Sequence, residues 1–550
     1  MIMKKYKLLF LACLTLFSSC DDFLEREPLD FVSPDNYLEN ENQAEKLLNG
    51  VYECLMNHTA NARLFPIHIA TMTDDAFDPQ PWHDTTEWPR GQGNANSAMP
   101  KLKWEQNYKG IARANVFINS VASAGFSSKN LPRYIGEAKF LRAWYYTDLI
   151  TFFGDVPLVL EPGDLTNSKP HRTPKELVVS QILKDLEEAI ATLPVEYPED
   201  ALGRITKGAA MGLKSRVLLY QGDWANAAKA AKDVMDLNQY FLFPDYQGLF
   251  LEVNERAAGC EIMMRRCYTP KIDPSYLYYP LGEWPAFAPT KQLADSYYMN
   301  DGLPISKSPK YDAQNPHMNR DPRFAASLFY PGCQYLNFMI KAPDPEVSKD
   351  SIQIPSWLLN STGYRSKKHF DGTLTNAEDE GRDTYFMRYA EILLNYAEAL
   401  NESEGPVKAV YDAIDALRDR AHTTRLSTAM PNLSKDAMRI LMRSMGAAWR
   451  SAVSFRFCER RVELAFEGLR WADIRRWKIG EEVMVDAKGL DNTKLKAGMY
   501  PGDGKGETKD WKYVTITVDQ RQFNPKRDYL WPIPQYEMDA NENMIQNPGY

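Results

Sequence analysis

The sequence predicts a mainly helical protein, in which a scaffold of about four helix pairs carries an irregular, loop-rich lobe with short β-strands. Three segments carry apolar residues at alternating steps of three and four, which is the period of one helix face. Each stripe is followed by a break and a second helical segment, so each begins a pair. The stripes are Ala138, Leu141, Tyr145, Leu149 and Phe152; Ala210, Leu213, Val217 and Tyr220; and Phe386, Ala390, Leu393, Ala397 and Leu400.

Capping residues bound the first of these pairs. Gly154 ends its first helix, because glycine commonly occupies the position that follows a helix C-terminus. The partner helix is predicted to begin within residues 173–176. There Thr173 is the expected N-cap, Pro174 takes the first helical position and Glu176 closes a capping box.

The second pair has a very short connection. Residues 218–227 read LLYQGDWANA, and Gly222-Asp223 turns directly into a helix over 224–237. This segment resembles the turn of a tetratricopeptide repeat, but the spacing between pairs is irregular, so the period of a regular solenoid is absent. We therefore expect a tetratricopeptide-like scaffold with long insertions. The helix pairs are predicted around 43–122, 137–193, 207–237 and 385–422.

Insertions between the pairs differ from the scaffold in composition. They are predicted around 74–100, 240–380 and 480–528, within one domain that spans 35–550. The first is polar, and the segment 268–289 is rich in aromatic residues and proline. Residues 514–518 alternate β-branched side chains and predict a strand. Loops this long in a compact protein commonly bind a ligand or partner.

The N-terminus is predicted to be a lipoprotein signal peptide over residues 1–19. Three lysines precede an apolar run over 8–17, which small residues follow up to Cys20. As a helix this run would rise about 15 Å, half of what a bilayer needs. The small residues before Cys20 resemble the bacterial lipobox, in which the cysteine is lipidated and becomes the first residue. The alternative is a secreted protein with an incidental cysteine.

Asp21-Asp22 follows the predicted lipidation site and begins a surface linker over 20–34. In enteric bacteria an aspartate at this position tends to retain a lipoprotein at the inner membrane. The acidic pair also resembles the surface-export signal of Bacteroidetes lipoproteins, so the residues alone leave both destinations open.

Composition and motifs exclude several function classes. The formal net charge of the 550 residues is −8, and it becomes more negative once the lysines of the leader are removed, so nucleic acid is an unfavourable partner. Phosphate-loop, dinucleotide, zinc-protease and serine-hydrolase motifs do not occur in the sequence. We predict no cofactor, no metal site and no catalytic residue. Asp74-Asp75 is a poor glycosidase pair, because sequence neighbours rarely face each other across a sugar ring.

The cysteines give no framework for the fold. Beyond the leader and Cys20, five remain, an odd number without a Cys-x-x-Cys motif. Cys260 and Cys267 could pair in an oxidising compartment, but small buried thiols are the expectation for this set.

Ordered motifs along the whole chain resemble the SusD/RagB family of Bacteroidetes surface lipoproteins. So many matches in one order make the resemblance specific, unlike a single short motif. The matching segments are 20–24 (CDDFL) with Pro28, the helix with Trp104, Tyr108, Ile111 and Asn115, 137–146 (EAKFLRAWYY), 153–157 (FGDVP), 388–391 (RYAE), 461–471 (RVELAFEGLRW), 473–477 (DIRRW), 529–534 (YLWPIP) and 547–550 (NPGY).

The resemblance implies four tetratricopeptide-like helix pairs that carry an irregular lobe. It also implies a non-enzymatic glycan-binding lid on a SusC-like TonB-dependent transporter, at the outer face of the outer membrane. It favours surface export as the meaning of Asp21-Asp22.

The charged residues of the strongest family motif are expected to be structural. Glu463, Glu467, Arg470, Asp473 and Arg476 are spaced by three and four residues, which favours a satisfied ion-pair network over catalysis. Similarly, Arg142, Trp144 and Tyr145 lie on the first helix stripe and are expected in the core.

Aromatic residues of the insertions are the candidates for ligand binding. A sugar presents apolar C–H faces, which flat rings can cover, and a rim of hydroxyls, which polar side chains can bond. The alternative is that these rings pack the loops onto the scaffold. The predicted ligand contacts are Trp82 and Trp88 as platforms, Asp75, His83 and Arg90 as polar partners, and Tyr279 and Trp284 from the second aromatic loop.

Several functions stay open on the sequence alone. The first is a glycan-capture lipoprotein that serves a TonB-dependent transporter, and the second is the same architecture capturing oligopeptides. A hydrolase is the third, and a pure scaffold without a small ligand is a weaker fourth. The sequence does not identify the sugar, its linkage or its source.

Overall fold

Helices dominate the described part of the chain. The computed structural model describes residues 38, 40–55, 66–80, 83–123, 127–163, 169–275, 277, 287–331, 333–335, 338–339, 362–373, 377–443, 459–491 and 513–550. The helices are α1 (Glu41–Tyr52), α2 (Pro66–Thr71), α3 (Ala98–Ser123), α4 (Leu131–Phe153), α5 (Lys175–Thr192), α6 (Lys207–Gln221), α7 (Trp224–Asp236), α8 (Lys291–Ser296), α9 (Pro322–Ser327), α10 (Tyr389–Glu404), α11 (Lys408–Arg420), α12 (Leu426–Ala429), α13 (Lys435–Arg443), α14 (Glu459–Glu463), α15 (Arg470–Arg476), α16 (Gly480–Val483) and α17 (Gln535–Ala540).

The long helices of the described residues form four successive pairs. These are α1 with α3, α4 with α5, α6 with α7, and α10 with α11. Each pair packs on the next, because α3 contacts α4, α5 contacts α6 and α7 contacts α10. The predicted mainly helical, tetratricopeptide-like fold class is confirmed.

Local chemistry explains where several of these helices begin and end. Asn40 and Gln43 cap α1 reciprocally, since the side chain of each accepts a hydrogen bond from the main-chain N–H of the other. Thr206 caps α6 by accepting from the N–H of Ala209 at 3.2 Å. Gly222 ends α6 with a φ of 76°, a left-handed conformation that glycine adopts without strain, and α7 follows at once.

Two local predictions were wrong. The Thr173 hydroxyl does not cap α5, because Thr173 forms an isolated β-bridge with Val156 and its oxygen accepts from the N–H of Leu158 at 3.3 Å. Asp155 takes the capping role instead, accepting from the N–H of Lys175 at 2.9 Å. Phe386, predicted to begin a helix stripe, lies in a strand that ends where α10 starts.

The strands are short and pair two by two. All described pairs are antiparallel, β1 with β3, β2 with β8, β4 with β7, β5 with β6 and β9 with β10. The strand predicted at 514–518 is confirmed as β10. The strands are β1 (Ala76–Phe77), β2 (Ile262–Arg266), β3 (Ala288–Pro289), β4 (Leu328–Phe329), β5 (Gln334–Tyr335), β6 (Phe338–Met339), β7 (Arg365–Ser366), β8 (Thr384–Arg388), β9 (Ala487–Leu490) and β10 (Thr515–Asp519).

A buried charge network joins the lobe to the scaffold, as the spacing of its acids predicted. Glu463 accepts from Arg388 at 2.8 Å, from Arg323 at 3.0 Å and from Arg420. Glu467 accepts from Arg388 at 2.7 Å and from Lys368 at 2.6 Å.

The other members of the motif are also paired. Arg470 binds Asp74, and Asp473 accepts from Arg476 at 2.8 Å and from Arg460 at 2.9 Å. Arg142 pairs with Asp185 inside the scaffold. The structural interpretation of these charges is therefore confirmed.

The described cysteines are not cross-linked. Cys54, Cys260, Cys267 and Cys333 are free thiols. Cys54 is buried as expected, whereas Cys267 is exposed, so the expectation of buried thiols holds only in part. Cys458 and the predicted lipidation site Cys20 lie outside the described residues. Within the described residues, no helix combines the length and apolar character that crossing a membrane requires.

Candidate functional site

The two insertions that the sequence singled out meet at their bases. Strand β1 of the polar insertion (74–100) pairs with β3 of the aromatic insertion (268–289). Ala76 lies opposite Pro289 and Phe77 opposite Ala288. The Thr290 N–H donates to the Asp75 carbonyl at 2.9 Å and extends the pairing by one residue. The fold thus brings together two loops that are about 200 residues apart along the sequence.

Asp75 fixes the junction between the two insertions through a buried ion pair. It is 1% exposed, and its carboxylate accepts from Arg461 Nε at 2.6 Å. The neighbouring Asp74 pairs with both Arg461 and Arg470. Although burial opposes it, the charges of those arginines lower the pKa of Asp74 to about 2. Asp75 therefore anchors the loop, and in this structure its carboxylate is not open to a ligand.

His83 and Arg90 retain partly exposed side chains. The carboxylate of Asp78 lies 2.8 Å from His83 Nδ1 and also accepts from the Thr85 hydroxyl at 2.9 Å. Arg90 Nε donates to Asp519 on β10 at 2.8 Å. The side chain of His83 is 20% exposed and that of Arg90 is 30% exposed. Both are held in place by a carboxylate, and both reach solvent.

Trp88 packs inward instead of forming a platform. Its ring stacks on Trp531 at 4.9 Å, with 29° between the ring planes. Gly93 lies so close that a Cβ there would come within 2.6 Å of the Trp88 ring carbons. The residue is only 9% exposed. The prediction of an exposed stacking surface at Trp88 is corrected accordingly, because Trp531 and the glycine cover the indole.

Three predicted ligand contacts lie outside the described residues. These are Trp82 in the polar insertion and Tyr279 and Trp284 in the aromatic insertion. Their roles stay predictions.

Comparison with known proteins decides the family. A model described as the SusD family matches residues 252–550, which is more than half of the chain. The chain belongs to the SusD family. A second model, described as "Starch-binding associating with outer membrane", matches residues 22–219.

Whole proteins of this family resemble the chain over nearly its full length. SusD-like protein P2 of Formosa agariphila is 26% identical over 569 residues, covering 100% of both chains. The crystal structure of a SusD-like carbohydrate binding protein from Bacteroides fragilis is 27% identical and has a TM-score of 0.78, covering 92% of this chain and 100% of its own. A laminarin binding SusD-like protein, 22% identical, shares the fold with a TM-score of 0.64, covering 93% and 100%.

In this SusD-family chain, an aromatic cavity also lies between scaffold and lobe. Trp144 of the first helix stripe is half-buried and lines a cavity of about 130 Å³ together with Phe152 and Phe386. Asp148 also lines it and is bonded to Lys103 and Asn107. The expectation that Tyr145 is a core residue is confirmed, whereas Trp144 borders this cavity.

Sequence reasoning missed the residues that hold the candidate site together. Arg461 binds Asp75 across 386 positions of the chain, and Asp519 binds Arg90 across 429. Neither pair has a local sequence signal, because nothing near one partner specifies where the other folds.

Proposed function

We propose that this SusD-family chain is a non-catalytic, lipid-anchored protein at the outer face of the outer membrane, which captures oligosaccharide or polysaccharide and delivers it to a SusC-like TonB-dependent transporter. The observation that carries the proposal is the pairing of β1 with β3. It joins the bases of two loops that are rich in aromatic and polar residues.

Sugar chemistry supports this use of the joined loops. A glycan needs flat apolar surfaces for its C–H faces and fixed polar groups for its hydroxyls. We place Trp82, Tyr279 and Trp284 in the first role, and His83 and Arg90 in the second. Carboxylates already hold His83 and Arg90, so little side-chain freedom is lost when they bind a ligand.

Relatives also support a carbohydrate ligand. One solved relative is named as a carbohydrate binding protein and another as laminarin binding. The proposed lipid anchor is attached at Cys20. Replacing Cys20 with serine should therefore release the chain from the membrane fraction of expressing cells. Retention of the Cys20→Ser chain in that fraction would refute the anchor.

A glycan array on the chain beginning at Asp21 tests the ligand class. The Trp82→Ala variant should weaken binding to the best glycan by about 1–3 kcal/mol, measured by calorimetry, because a stacked ring is a typical binding hot spot. Phe241→Ala is the matched control, since Phe241 is 60% exposed and lies outside the polar residues 74–100 and the aromatic residues 268–289. Equal affinity of the wild type and Trp82→Ala would exclude Trp82 from the site.

The same preparation separates the alternatives. Binding to peptide mixtures and to none of the glycans would replace the glycan proposal with peptide capture. Release of products from a polysaccharide by the purified chain would establish a hydrolase. The Asp74-Asp75 pair offers little support for hydrolysis, because Arg461 and Arg470 occupy both carboxylates inside the fold.

The transporter partnership has its own test. The chain carrying an affinity tag should co-purify a SusC-like barrel from outer membranes of its native cell. Isolation of the chain without any barrel, under conditions that preserve other membrane complexes, would remove delivery from the proposal.

A further inference from the structure

A second concavity opens at the C-terminal end of α4. It is a cleft of about 540 Å³, bordered by the end of α4, the start of α5, the end of α6 and α15. None of the described residues predicted to contact a glycan lines it. Besides Arg476, its walls carry four basic side chains, which come from two separate parts of the sequence. These are Arg172, Lys175, Arg475 and Lys478.

Two of these side chains are arginines that have no carboxylate partner among the described residues. Arg172 donates to the carbonyls of Asp155 at 2.8 Å and Phe153 at 3.2 Å, and to Asn547 Oδ1 at 2.6 Å. Arg475 donates to the carbonyls of Trp471 and Asp528, at 3.2 and 2.9 Å, while its Nε has no partner in the described structure. Main-chain dipoles thus hold both guanidinium groups without neutralising them.

The two lysines are also unpaired. Among the described residues, no carboxylate lies within 4.0 Å of the ammonium group of Lys175 or Lys478. Of the neighbouring acids, Glu176 and Asp155 raise the pKa of Lys175, and Asp155 also accepts from the main-chain N–H of Lys175. Lys478 lies 4.3 Å from the ring centre of Tyr529. Arg476 also lines the cleft, but Glu398 and Asp473 neutralise its charge.

The like charges that line the cleft repel one another. Burial lowers the pKa of Arg172, of Arg475 and of Lys175. For Lys175 the charge of Glu176 opposes this effect, the charge of Lys478 adds to it and that of Asp155 opposes it. The first turn of the 18-residue helix α5 adds the positive end of its dipole. Against these cations stand the side chains of Asp155 and Glu176. In a chain with a net charge of −8, such a cleft focuses a positive field at one place.

We propose that this cleft is a second ligand site, which binds the carboxylates of an acidic oligosaccharide. The volume of about 540 Å³ falls within the range of small-molecule sites. Tyr220 and Tyr529 offer aromatic surface, and Thr151 and Gln221 offer hydroxyl and amide groups. Guanidinium and ammonium groups supply charge-assisted bonds to carboxylates. The two sites share no residue, so this proposal does not depend on the loop site.

Calorimetry with trigalacturonate tests the proposal, with maltotriose as the uncharged trisaccharide of equal length. The chain beginning at Asp21 should bind trigalacturonate more tightly than maltotriose, and more weakly as salt is added. The double variant Lys175→Glu/Lys478→Glu should lose about tenfold or more in affinity for trigalacturonate. Its matched control is Lys229→Glu/Lys408→Glu, which makes the same charge change at two exposed lysines on other helices.

Further outcomes separate the sources of the anion. Equal binding of trigalacturonate by the cleft variant and the control variant would overturn the proposal, as would no binding by the wild type. If inorganic phosphate binds as tightly as trigalacturonate, the cleft binds an adventitious ion only. Binding to phosphatidylglycerol vesicles, but not to trigalacturonate, would assign it to lipid phosphate instead. Loss of the loop site in Trp82→Ala leaves every one of these readings unchanged.

Discussion

Two charged regions of this protein differ in the groups that their arginine side chains contact. Around α14, buried guanidinium groups meet carboxylates, and Glu463 alone accepts from Arg323, Arg388 and Arg420. In the cleft beside α4, Arg172 and Arg475 are held by carbonyl and amide oxygens. Within the described residues, the charges of the first region neutralise one another, whereas several cations of the second region have no carboxylate partner.

The contrast separates a structural role from a binding role. A paired buried charge becomes costly only when one partner is removed, because the other is then left alone in a low dielectric. An unpaired buried charge is costly in the free protein, and a ligand that neutralises it recovers that cost. Functional sites often reduce stability in this way. The network therefore should respond to mutation through stability, and the cleft through affinity.

The largest expected effect is in the network. Glu463→Gln keeps the shape of the side chain but removes the charge that three arginines share, so it should lower the free energy of unfolding by about 3–5 kcal/mol. Urea denaturation at neutral pH measures this change. Asp233→Asn is the control, because it breaks a pair with Lys229 on an exposed helix face and should cost less than about 0.5 kcal/mol. Similar losses in both variants would contradict the contrast.

The stability that the same network contributes should decrease at low pH. Although burial alone would raise it, the charges of Arg388 and Lys368 lower the pKa of Glu467 to about 2, from 4.5. A carboxylate with a lowered folded-state pKa contributes stability that is complete above pH about 4.5 and is lost as the pH falls towards 2. Glu467→Gln should therefore be less stable than the wild type by about 2–3 kcal/mol at pH 7 and by almost nothing near pH 2. Urea titrations at a series of pH values would reveal a constant difference if this interpretation fails.

The sequence predicted the scaffold well because its signals are local. Apolar period, capping residues and Gly222 act within a few residues, and they predicted the three helix pairs that begin with an apolar stripe. Thr173 shows the limit of such reasoning, since its hydroxyl bonds Leu158 across a bridge instead of capping α5. Phe386 shows another, because pairing of β8 with β2 overrides the helical period at that point.

The candidate sites depend on contacts that no local pattern encodes. Trp88 has the composition of a ligand platform, yet Trp531, more than 400 residues later, covers its ring. The cleft shows the converse, since nothing near Arg172 or Arg475 in the sequence indicates that the two residues line one cleft in the fold. Family motifs locate the charge network but not the ligand contacts.

A carboxylate in the lobe should behave in the opposite sense to Glu467. Burial and the neighbouring charge of Asp383 raise the pKa of Glu255 to about 8, from 4.5. A carboxyl with a raised folded-state pKa stabilises the fold most below pH about 4.5, and this contribution is lost as the pH rises through 8. Glu255→Gln mimics the protonated form and keeps an oxygen that can accept from the Asp383 N–H.

This variant should match the wild type near pH 5 and exceed it by about 1 kcal/mol or more at pH 8, measured by urea denaturation. Glu199→Gln changes a 90% exposed glutamate and should show no such trend. A Glu255→Gln chain that is less stable than the wild type at pH 8 would show instead that the charge of Glu255 stabilises the fold.

The smallest expected change in stability is the sharpest test of the contrast. Arg475→Met removes the buried cation of the cleft while retaining a long side chain that can pack on Trp471. Because no carboxylate is left unpaired, the free energy of unfolding should stay within about 1 kcal/mol of the wild type, in contrast to Glu463→Gln. Affinity for trigalacturonate should fall several-fold in the same protein. Urea denaturation measures the stability. A loss as large as that of Glu463→Gln would show that Arg475 has a structural role and does not serve ligand binding in the cleft.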